Sequence, residues 1–323
     1  MIEGTNKDFT LYSNSENREP RTENREPNLM DSQKKYDPKF SFEFFPPRTP
    51  EAVGKLQMTQ EILAKYKPDF FSVTFGAGGS TRVRTFETVQ DIREKTGIEA
   101  APHISCIGYM TSDIKDVLET YKSAGIKHIV ALRGDLPSGF ASYGELRYAN
   151  ELVEFIRKET GDHFYIEVAA YPEFHPQSSG PEKDLENFKR KIDAGANSAI
   201  TQYFYNPDAY FRFVDSCENL GINVPIVPGI MPIINCTQLV RFSDACGAEI
   251  PRWILKRLQE FGDDRKAIRD FGIDVTTQLC ENLLGHGAPG LHIYTMNQSE
   301  ASEAIWENLI LSKRRSEKKV SAG

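Results

Sequence analysis

Residues 100–134 read AAPHISCIGYMTSDIKDVLETYKSAGIKHIVALRG, and this stretch decides how the chain is built. Ala100–Ser105 is a short run of strand length. Ser112-Asp113 then opens an amphipathic stretch of helical period that stops at Ala124-Gly125, a glycine terminator. His128–Leu132 is the next apolar run, so one strand, one helix and a second strand occupy ~30 residues, a βαβ unit. The same beat continues on both sides. Strands are expected at Phe40–Phe45, Phe70–Thr74, Tyr165–Ala170, Ala199–Gln202, Pro225–Val227 and Gly290–Tyr294. Several are apolar almost throughout, as parallel strands covered on both faces are. Thr49-Pro50-Glu51 is an N-cap with proline at the first helical position, opening a helix to about Lys65. Asp184 to Ala194-Gly195 repeats that grammar, and Ile268, Phe271, Val275, Leu279 and Leu283 form one apolar stripe. Eight strand–helix units in roughly 270 residues match the α/β class and a (βα)8 TIM barrel. The alternative is an open doubly wound sheet, but its dinucleotide fingerprint is missing: Gly76-Ala77-Gly78-Gly79 is followed by Thr81 where the last glycine belongs.

The ends differ from this body. Residues 1–38 contain a local duplication, Glu16-Asn17-Arg18-Glu19-Pro20 and Glu23-Asn24-Arg25-Glu26-Pro27, with few large apolar groups. Such a segment buries too little surface to offset its ordering entropy, so a flexible tail is expected before a barrel spanning 39–311. Residues 312–323 carry Lys313, Arg314, Arg315, Lys318 and Lys319 against Glu317, a solvated basic tail. The 323-residue chain has a formal charge of −7, which disfavours binding nucleic acid by phosphate neutralisation. No apolar stretch approaches the ~20 residues of a membrane span, and Met1 to Thr10 has no signal-peptide core. Five cysteines without close pairing or metal-ligand spacing are expected as reduced thiols in a cytoplasmic protein.

Barrel chemistry sits at the carboxyl ends of the strands. There the sequence presents Glu43, Thr74 with the glycine loop and Arg82, His103, Arg133-Gly134-Asp135, Tyr171-Pro172-Glu173 with His175, Gln202 and His292-Ile293-Tyr294. Glu43 is either a strand carboxylate turned to solvent or an acid whose pKa is raised by its phenylalanine neighbours. Arg133 and Asp135 read equally as a structural ion pair, and His103 as a core histidine. His128 and His163 lie at strand starts and receive no role. No metal set, HExxH spacing, serine elbow or rim lysine emerges. The rim suits an aromatic, anionic ligand.

Together these segments resemble the methylenetetrahydrofolate reductase family. The resemblance is carried by Ser41-Phe42-Glu43-Phe44-Phe45-Pro46-Pro47, Ser72 to Thr81, Ala101-Pro102-His103-Ile104-Ser105-Cys106, Ala131-Leu132-Arg133-Gly134-Asp135 and Ala169 to Pro176. Ala194-Gly195-Ala196, Ile200-Thr201-Gln202 and Pro228-Gly229-Ile230-Met231-Pro232 complete it, in order, over about residues 40 to 311. It implies a barrel that holds FAD and reduces 5,10-methylenetetrahydrofolate to 5-methyltetrahydrofolate with NAD(P)H, in one-carbon and methionine metabolism. By that similarity Glu43 is the acid that protonates folate nitrogen 10, and Asp135 stabilises the resulting 5-iminium cation. Flavin contacts implied are Thr74, Phe75, Ala77, His103, Arg133, Gly134, Asp135, Tyr148, Ala149, Tyr171, His175, Asp184, Asn187, Arg190 and Lys191. Folate contacts implied are Asp135, Gln202, Gln238, Phe242 and Gln298, the last standing where the family usually carries arginine in Tyr294-Thr295-Met296-Asn297-Gln298. No metal is implied, and a homo-oligomer is expected. The chain ends soon after the barrel, so a regulatory domain responding to S-adenosylmethionine is not expected. Two rival readings are a flavin-free folate- or pterin-binding barrel and a flavin barrel acting on another amine.

Overall fold

The computed structural model describes residues 30–75, 79–135 and 144–320, with backbone alone for 79–81 and 312–320. Its strands are β1 (Lys39–Phe44), β2 (Phe70–Val73), β3 (Ala100–Ser105), β4 (His128–Leu132), β5 (Tyr165–Ala170), β6 (Ser198–Thr201), β7 (Ile226–Val227), β8 (Gly229–Ile230) and β9 (Gly290–Tyr294). All pairings are parallel, in the order β7-β6-β5-β4-β3-β2-β1-β9-β8. The strand expected at Pro225–Val227 is one pass of chain split in two. Its first half pairs with β6 and its second with β9. Pro228, which has no N–H to donate, marks the switch, while its carbonyl still accepts from the His292 amide at 2.9 Å. Through this pass eight strands form the ring of a (βα)8 barrel.

Alternation along each strand builds two different interiors. Phe42, Phe44, Phe71, Val73, Ile104, Ile129, Ile166 and Val168 point outward and are buried against the helices in the main core. Burying each such side chain is worth roughly 1.5–3 kcal/mol. Phe70, Ala101, Val130 and Ile200 point inward and form a much smaller cluster on the barrel axis. The helix Pro50–Ala64 opens as expected, with Thr49 Oγ1 accepting from the Ala52 amide at 3.3 Å. The expected helix at Asp184 begins one turn earlier, as Pro181–Asp193, because Pro181 takes the first helical position. Two further helices, Cys236–Cys246 and Arg252–Glu260, lie between β8 and the long helix Arg265–Gly285 and pack over Tyr203, Tyr205 and Met231.

The ordered body starts before residue 39, which corrects the expected tail boundary. Met30 is buried and its amide donates to the His286 carbonyl at 3.0 Å; Asp31–Lys34 forms one helical turn. The buried Gln33 amide closes this edge, donating to the Val224 carbonyl and accepting from the Ile226 amide at 2.9 Å. Lys35 and Tyr36 add contacts to Asn223 Oδ1, so the segment is tied to the barrel along its length. Residues 1–29 lie outside the described residues. At the other end, the helix Glu300–Val320 carries the backbone through most of the expected basic tail. Among the described residues, no helix is long and apolar enough to cross a membrane.

Candidate active site

Two cavities open at the carboxyl ends of the strands. The first, of about 650 Å³, lies on the barrel axis and includes Glu43, Thr74, Phe75, His103, Gly134, Asp135, Tyr171, Gln202 and Phe242 in its walls. The second, of about 690 Å³, lies over β4 and β5 and includes Arg133, Gly134, Asp135, Tyr148, Ala149, Tyr171, His175, Asp184, Asn187, Arg190 and Lys191. Gly134, Asp135 and Tyr171 belong to both, so the two spaces share a wall. Gly134 holds it with φ +80°, and a Cβ there would meet the Ser105 Cβ at 2.8 Å, which is why glycine is required. The resemblance-derived residues thus converge from six strand ends and three helices. Three do not: Ala77 lies outside the described residues, while Gln238 and Gln298 line neither cavity.

Glu43 projects inward from β1 and is buried. Its Oε2 lies 3.3 Å from His103 Nε2 on β3 and 3.5 Å from His292 Nε2 on β9. Burial alone would raise the carboxyl, but the two imidazoles more than offset this and hold it at about 2. This corrects the expectation from the flanking phenylalanines: Phe42 and Phe44 face the helices, and the neighbours that matter sit on other strands. The backbone around Glu43 is clamped as well, its carbonyl accepting from Thr295 Oγ1 at 2.6 Å.

Asp135 stands at the junction with its side chain 99% exposed and 3.7 Å from Arg133 Nη2. The pair is solvent-accessible, so its net contribution to stability is small. Gln202 ends β6, and its Oε1 accepts from the Tyr203 amide at 3.0 Å, leaving its NH2 as a donor. Phe242 has the Arg241 guanidinium 5.2 Å from its ring centre. Tyr294 donates to the Thr201 carbonyl at 2.7 Å, and burial pushes its phenol well up, so it acts as a neutral wall. Tyr203 and Cys246 also line the first cavity and carry no motif that would have marked them; Met231 and Met296 line it too and lie in segments that carry the resemblance, but receive no role from it.

The second cavity gathers cationic and polar groups. Asp184, Asn187 and Lys191 share one face of the helix Pro181–Asp193, at three- and four-residue spacing. Lys191 Nζ donates to the Ala169 carbonyl; burial pushes its pKa down to about 8, partly opposed by Asp184. Asp184 in turn accepts from the His175 amide at 3.1 Å, and His175 packs edge-on against Tyr171 at 4.7 Å. Arg190 donates to Asn187 at 3.3 Å. The first turn of the helix Ala149–Thr160 also reaches the wall, with Tyr148 half-exposed at its N-cap. Guanidinium, ammonium and amide donors in one concave space suit a diphosphate, and an aromatic-lined cavity next door suits a flat ring. The residues present fit a flavin dinucleotide. Among the described residues, no group of three or more His, Cys, Asp or Glu side chains could hold a metal ion.

A family model described as methylenetetrahydrofolate reductase matches residues 25–310. The chain is 43% identical over 269 residues to the 5,10-methylenetetrahydrofolate reductase of Escherichia coli strain K12, covering 83% of this chain and 90% of that one. It is 41% identical over 265 residues to the enzyme of the same name from Buchnera aphidicola subsp. Schizaphis graminum, covering 82% and 89%. A methylenetetrahydrofolate reductase (NADH) 1 of Arabidopsis thaliana is 40% identical over 283 residues, covering 84% of this chain and 48% of that longer one. A solved structure of an uncharacterized protein from Clostridium thermocellum, described as binding two copies of 5-methyl-5,6,7,8-tetrahydrofolic acid, shares the fold. It aligns with a TM-score of 0.61 at 15% identity, over 88% of this chain and 98% of that one. By family model and by identity over most of its length, the chain belongs to the methylenetetrahydrofolate reductase family.

Proposed function

We propose that this protein reduces 5,10-methylenetetrahydrofolate to 5-methyltetrahydrofolate with electrons from NADH or NADPH, using bound FAD. The observation that carries the reading is a single juxtaposition. A buried carboxyl faced by two imidazoles opens onto an aromatic cavity whose far wall is also the wall of a cation-lined one. FAD supplies two-electron hydride transfer.

The protein's part is binding, aiming and moving protons. Arg133, Arg190, Lys191 and the start of the helix Ala149–Thr160 hold the diphosphate, with Asn187 and His175 beside them. Thr74, Phe75, His103, Gly134 and Tyr171 frame the ring at the junction. Gln202 holds the pterin, Phe242 packs on the folate or nicotinamide ring, and Gln238 and Gln298, which line neither cavity, are left as folate contacts implied by the resemblance alone. With both imidazoles in contact the Glu43 carboxyl is ionised, but burial pushes it up, so loosening those contacts as substrate covers the site lets it take up a proton and pass it to nitrogen 10: the O–H bond breaks, an N–H bond forms, and the five-membered ring opens to the 5-iminium cation. Asp135 faces that cation with a fixed negative charge, which favours the charged intermediate over the closed ring. The same reading places the enzyme in one-carbon and methionine metabolism, in the cytoplasm, as a homo-oligomer.

Anaerobic half-reactions test it. Purified holoprotein should be yellow, should bleach on adding NADH or NADPH, and should regain its colour on adding methylenetetrahydrofolate. A colourless protein that binds methyltetrahydrofolate would be a folate-binding barrel instead. A flavoprotein that bleaches but is not reoxidised by the folate would be a flavin barrel for another amine.

A further inference from the structure

Glu173 is the rim acid that the proposed function leaves unused. It sits in the loop 171–176 that follows β5, and this loop faces two ways. Tyr171 and His175 line the second cavity. Glu173 instead reaches the far end of the helix Cys236–Cys246, where its Oε2 accepts from the Glu249 amide at 2.9 Å. Between them Phe174 adopts left-handed backbone, φ 58°, which a bulky residue rarely enters, and its ring stays 44% exposed. Little apolar burial offsets that strain, so the turn rests on its neighbours. These are Glu173 on one side and, on the other, the His175 amide, which donates to Asp184 at 3.1 Å. The helix depends on the same turn. It buries only Leu239 and Ser243, so its few outer contacts decide where it stands. Ser243 Oγ pairs with the Tyr203 hydroxyl at 3.0 Å. Gly247 ends the helix with φ +76°, and a Cβ there would meet the Pro176 Cγ at 2.8 Å. Glu173 and Pro176 thus hold the helix end from one loop, with a void of only about 10 Å³ left between loop and helix. From that helix Phe242, Ala245 and Cys246 enter the wall of the first cavity. The acid itself is costly to keep there. Burial pushes the Glu173 carboxyl up and the Glu249 amide opposes this, while its buried Oε1 has no hydrogen-bond partner among the described residues. One bond to an amide offsets little of that cost, which points to a gain in placing the helix rather than in stability.

We propose that Glu173 is a positioning residue that latches the helix Cys236–Cys246 to the loop 171–176 and so sets where Phe242 stands over the first cavity. The latch is one acceptor oxygen for the Glu249 amide, and it needs no charge. When it is closed, the wall that carries Phe242 is fixed relative to Tyr171, which both cavities share. The substrate then meets a preformed slot instead of ordering the helix as it binds, so the latch acts on affinity more than on rate. What occupies the slot rests on the proposed function; the latch itself does not.

Three variants separate reach from charge. Glu173→Ala removes the acceptor, Glu173→Asp withdraws it by one carbon but keeps the charge, and Glu173→Gln keeps the acceptor and removes the charge. Hydrogen exchange of the purified full-length protein, read by mass spectrometry, gives a readout independent of activity. In Glu173→Ala and Glu173→Asp, peptides covering 236–250 should exchange roughly three- to tenfold faster, the equilibrium weight of one hydrogen bond, while the barrel strands exchange as before. The KM for methylenetetrahydrofolate should rise by a similar factor, with kcat and flavin affinity hardly changed. Glu173→Gln should match the wild type in every reading. Unchanged exchange over 236–250 in both Glu173→Ala and Glu173→Asp overturns the latch. So does faster exchange spread over the whole barrel, which marks lost stability instead. A Glu173→Gln as impaired as Glu173→Ala also overturns it, since charge and not reach would then matter. Local exchange that quickens while KM stays put makes the contact structural only and overturns the positioning role. The two levels of inference fail differently. If the exchange pattern holds in a protein whose flavin methylenetetrahydrofolate cannot reoxidise, the proposed function fails and the latch stands. If the reaction proceeds and the exchange does not respond, only the latch fails.

Discussion

The two cavities at the mouth share Leu132, Gly134, Asp135, Ala169 and Tyr171, yet their chemistry is opposite. In the axial cavity the strands converge, and each functional group is placed by strand alternation: Glu43, His103 and Gln202 are inward residues of β1, β3 and the end of β6. Their positions are fixed by the barrel ladder, which leaves little freedom. In the lateral cavity the groups come from one turn after another of the helix Pro181–Asp193 and from the loop before it. On the proposed function, acid chemistry is built into the rigid part of the fold, while anion binding is built from helix periodicity and longer, more adaptable side chains. If this division is right, the two cavities should fail separately.

Glu43→Gln is the strongest test of the axial side. It should leave bleaching by nicotinamide intact and slow the folate half-reaction by roughly 10²–10⁴-fold, the usual cost of losing a general acid. Rapid-mixing kinetics on each half-reaction decide it, and equal damage to both would make Glu43 a structural residue.

On the lateral side, Lys191→Met should cost affinity for the dinucleotide rather than rate. A charged hydrogen bond is worth roughly 1.5–3 kcal/mol, so the dissociation constant of FAD should rise by about 10- to 100-fold. The pH dependence sharpens this. With its pKa pushed down to about 8, Lys191 is charged below that pH and neutral above it. A bound diphosphate favours the charged form, so affinity should be flat below pH 8 and fall as pH rises through it. In Lys191→Met the fall should disappear. Flavin fluorescence titrations of the apoprotein at several pH values measure both, and a wild-type affinity that does not change above pH 8 would remove Lys191 from the phosphate site.

Asp135→Asn acts at the shared wall and should touch both sides modestly. Losing the anion should slow folate reduction by about tenfold and make the flavin easier to reduce, since a negative charge nearby opposes the reduced anionic ring. An unchanged midpoint potential would place Asp135 too far from the ring for this role.

Most of the barrel was legible because its signals are local. The apolar runs at Ala100–Ser105, His128–Leu132, Tyr165–Ala170 and Gly290–Tyr294 coincide with β3, β4, β5 and β9. The helices Cys236–Cys246 and Arg252–Glu260 were not read, since each buries only two residues along its own length. Their apolar faces make sense only against Tyr203 and Tyr205, which are remote in sequence. Glu43 shows the same limit at the site. Its local neighbours are phenylalanines, but His103 and His292 decide its protonation, and only closing the ring of strands brings them beside it. Met30 and Gln33 were hidden within a segment whose composition reads as a tail.

The smallest expected effect concerns Gln298, where the family's usual arginine is absent. Met296 and Asn297 both adopt left-handed backbone, with φ of 53° and 57°. Asn297 is locked to the end of β1, its Oδ1 accepting from the Phe45 amide at 2.8 Å and its Nδ2 donating to the Phe45 carbonyl at 2.9 Å. Gln298 follows this pinned turn, exposed, with its own amide donating to the Thr295 carbonyl at 2.9 Å. Its backbone position is thus fixed beside Met296 and Phe45, which do line the axial cavity. A longer, charged side chain from that point would extend toward the cavity mouth, where on the proposed function it could meet the glutamate tail of a folate. Gln298→Arg should tighten methylenetetrahydrofolate several-fold, as a charged contact replaces a neutral one, and should make binding weaken with salt. The maximal rate should hardly change, because a contact to the tail is equal in the ground and transition states. Steady-state kinetics at two salt concentrations read both effects. A Michaelis constant that stays put or rises would mean that the tail is anchored elsewhere, with Arg241 beside the cavity-lining Phe242 a cation to try next.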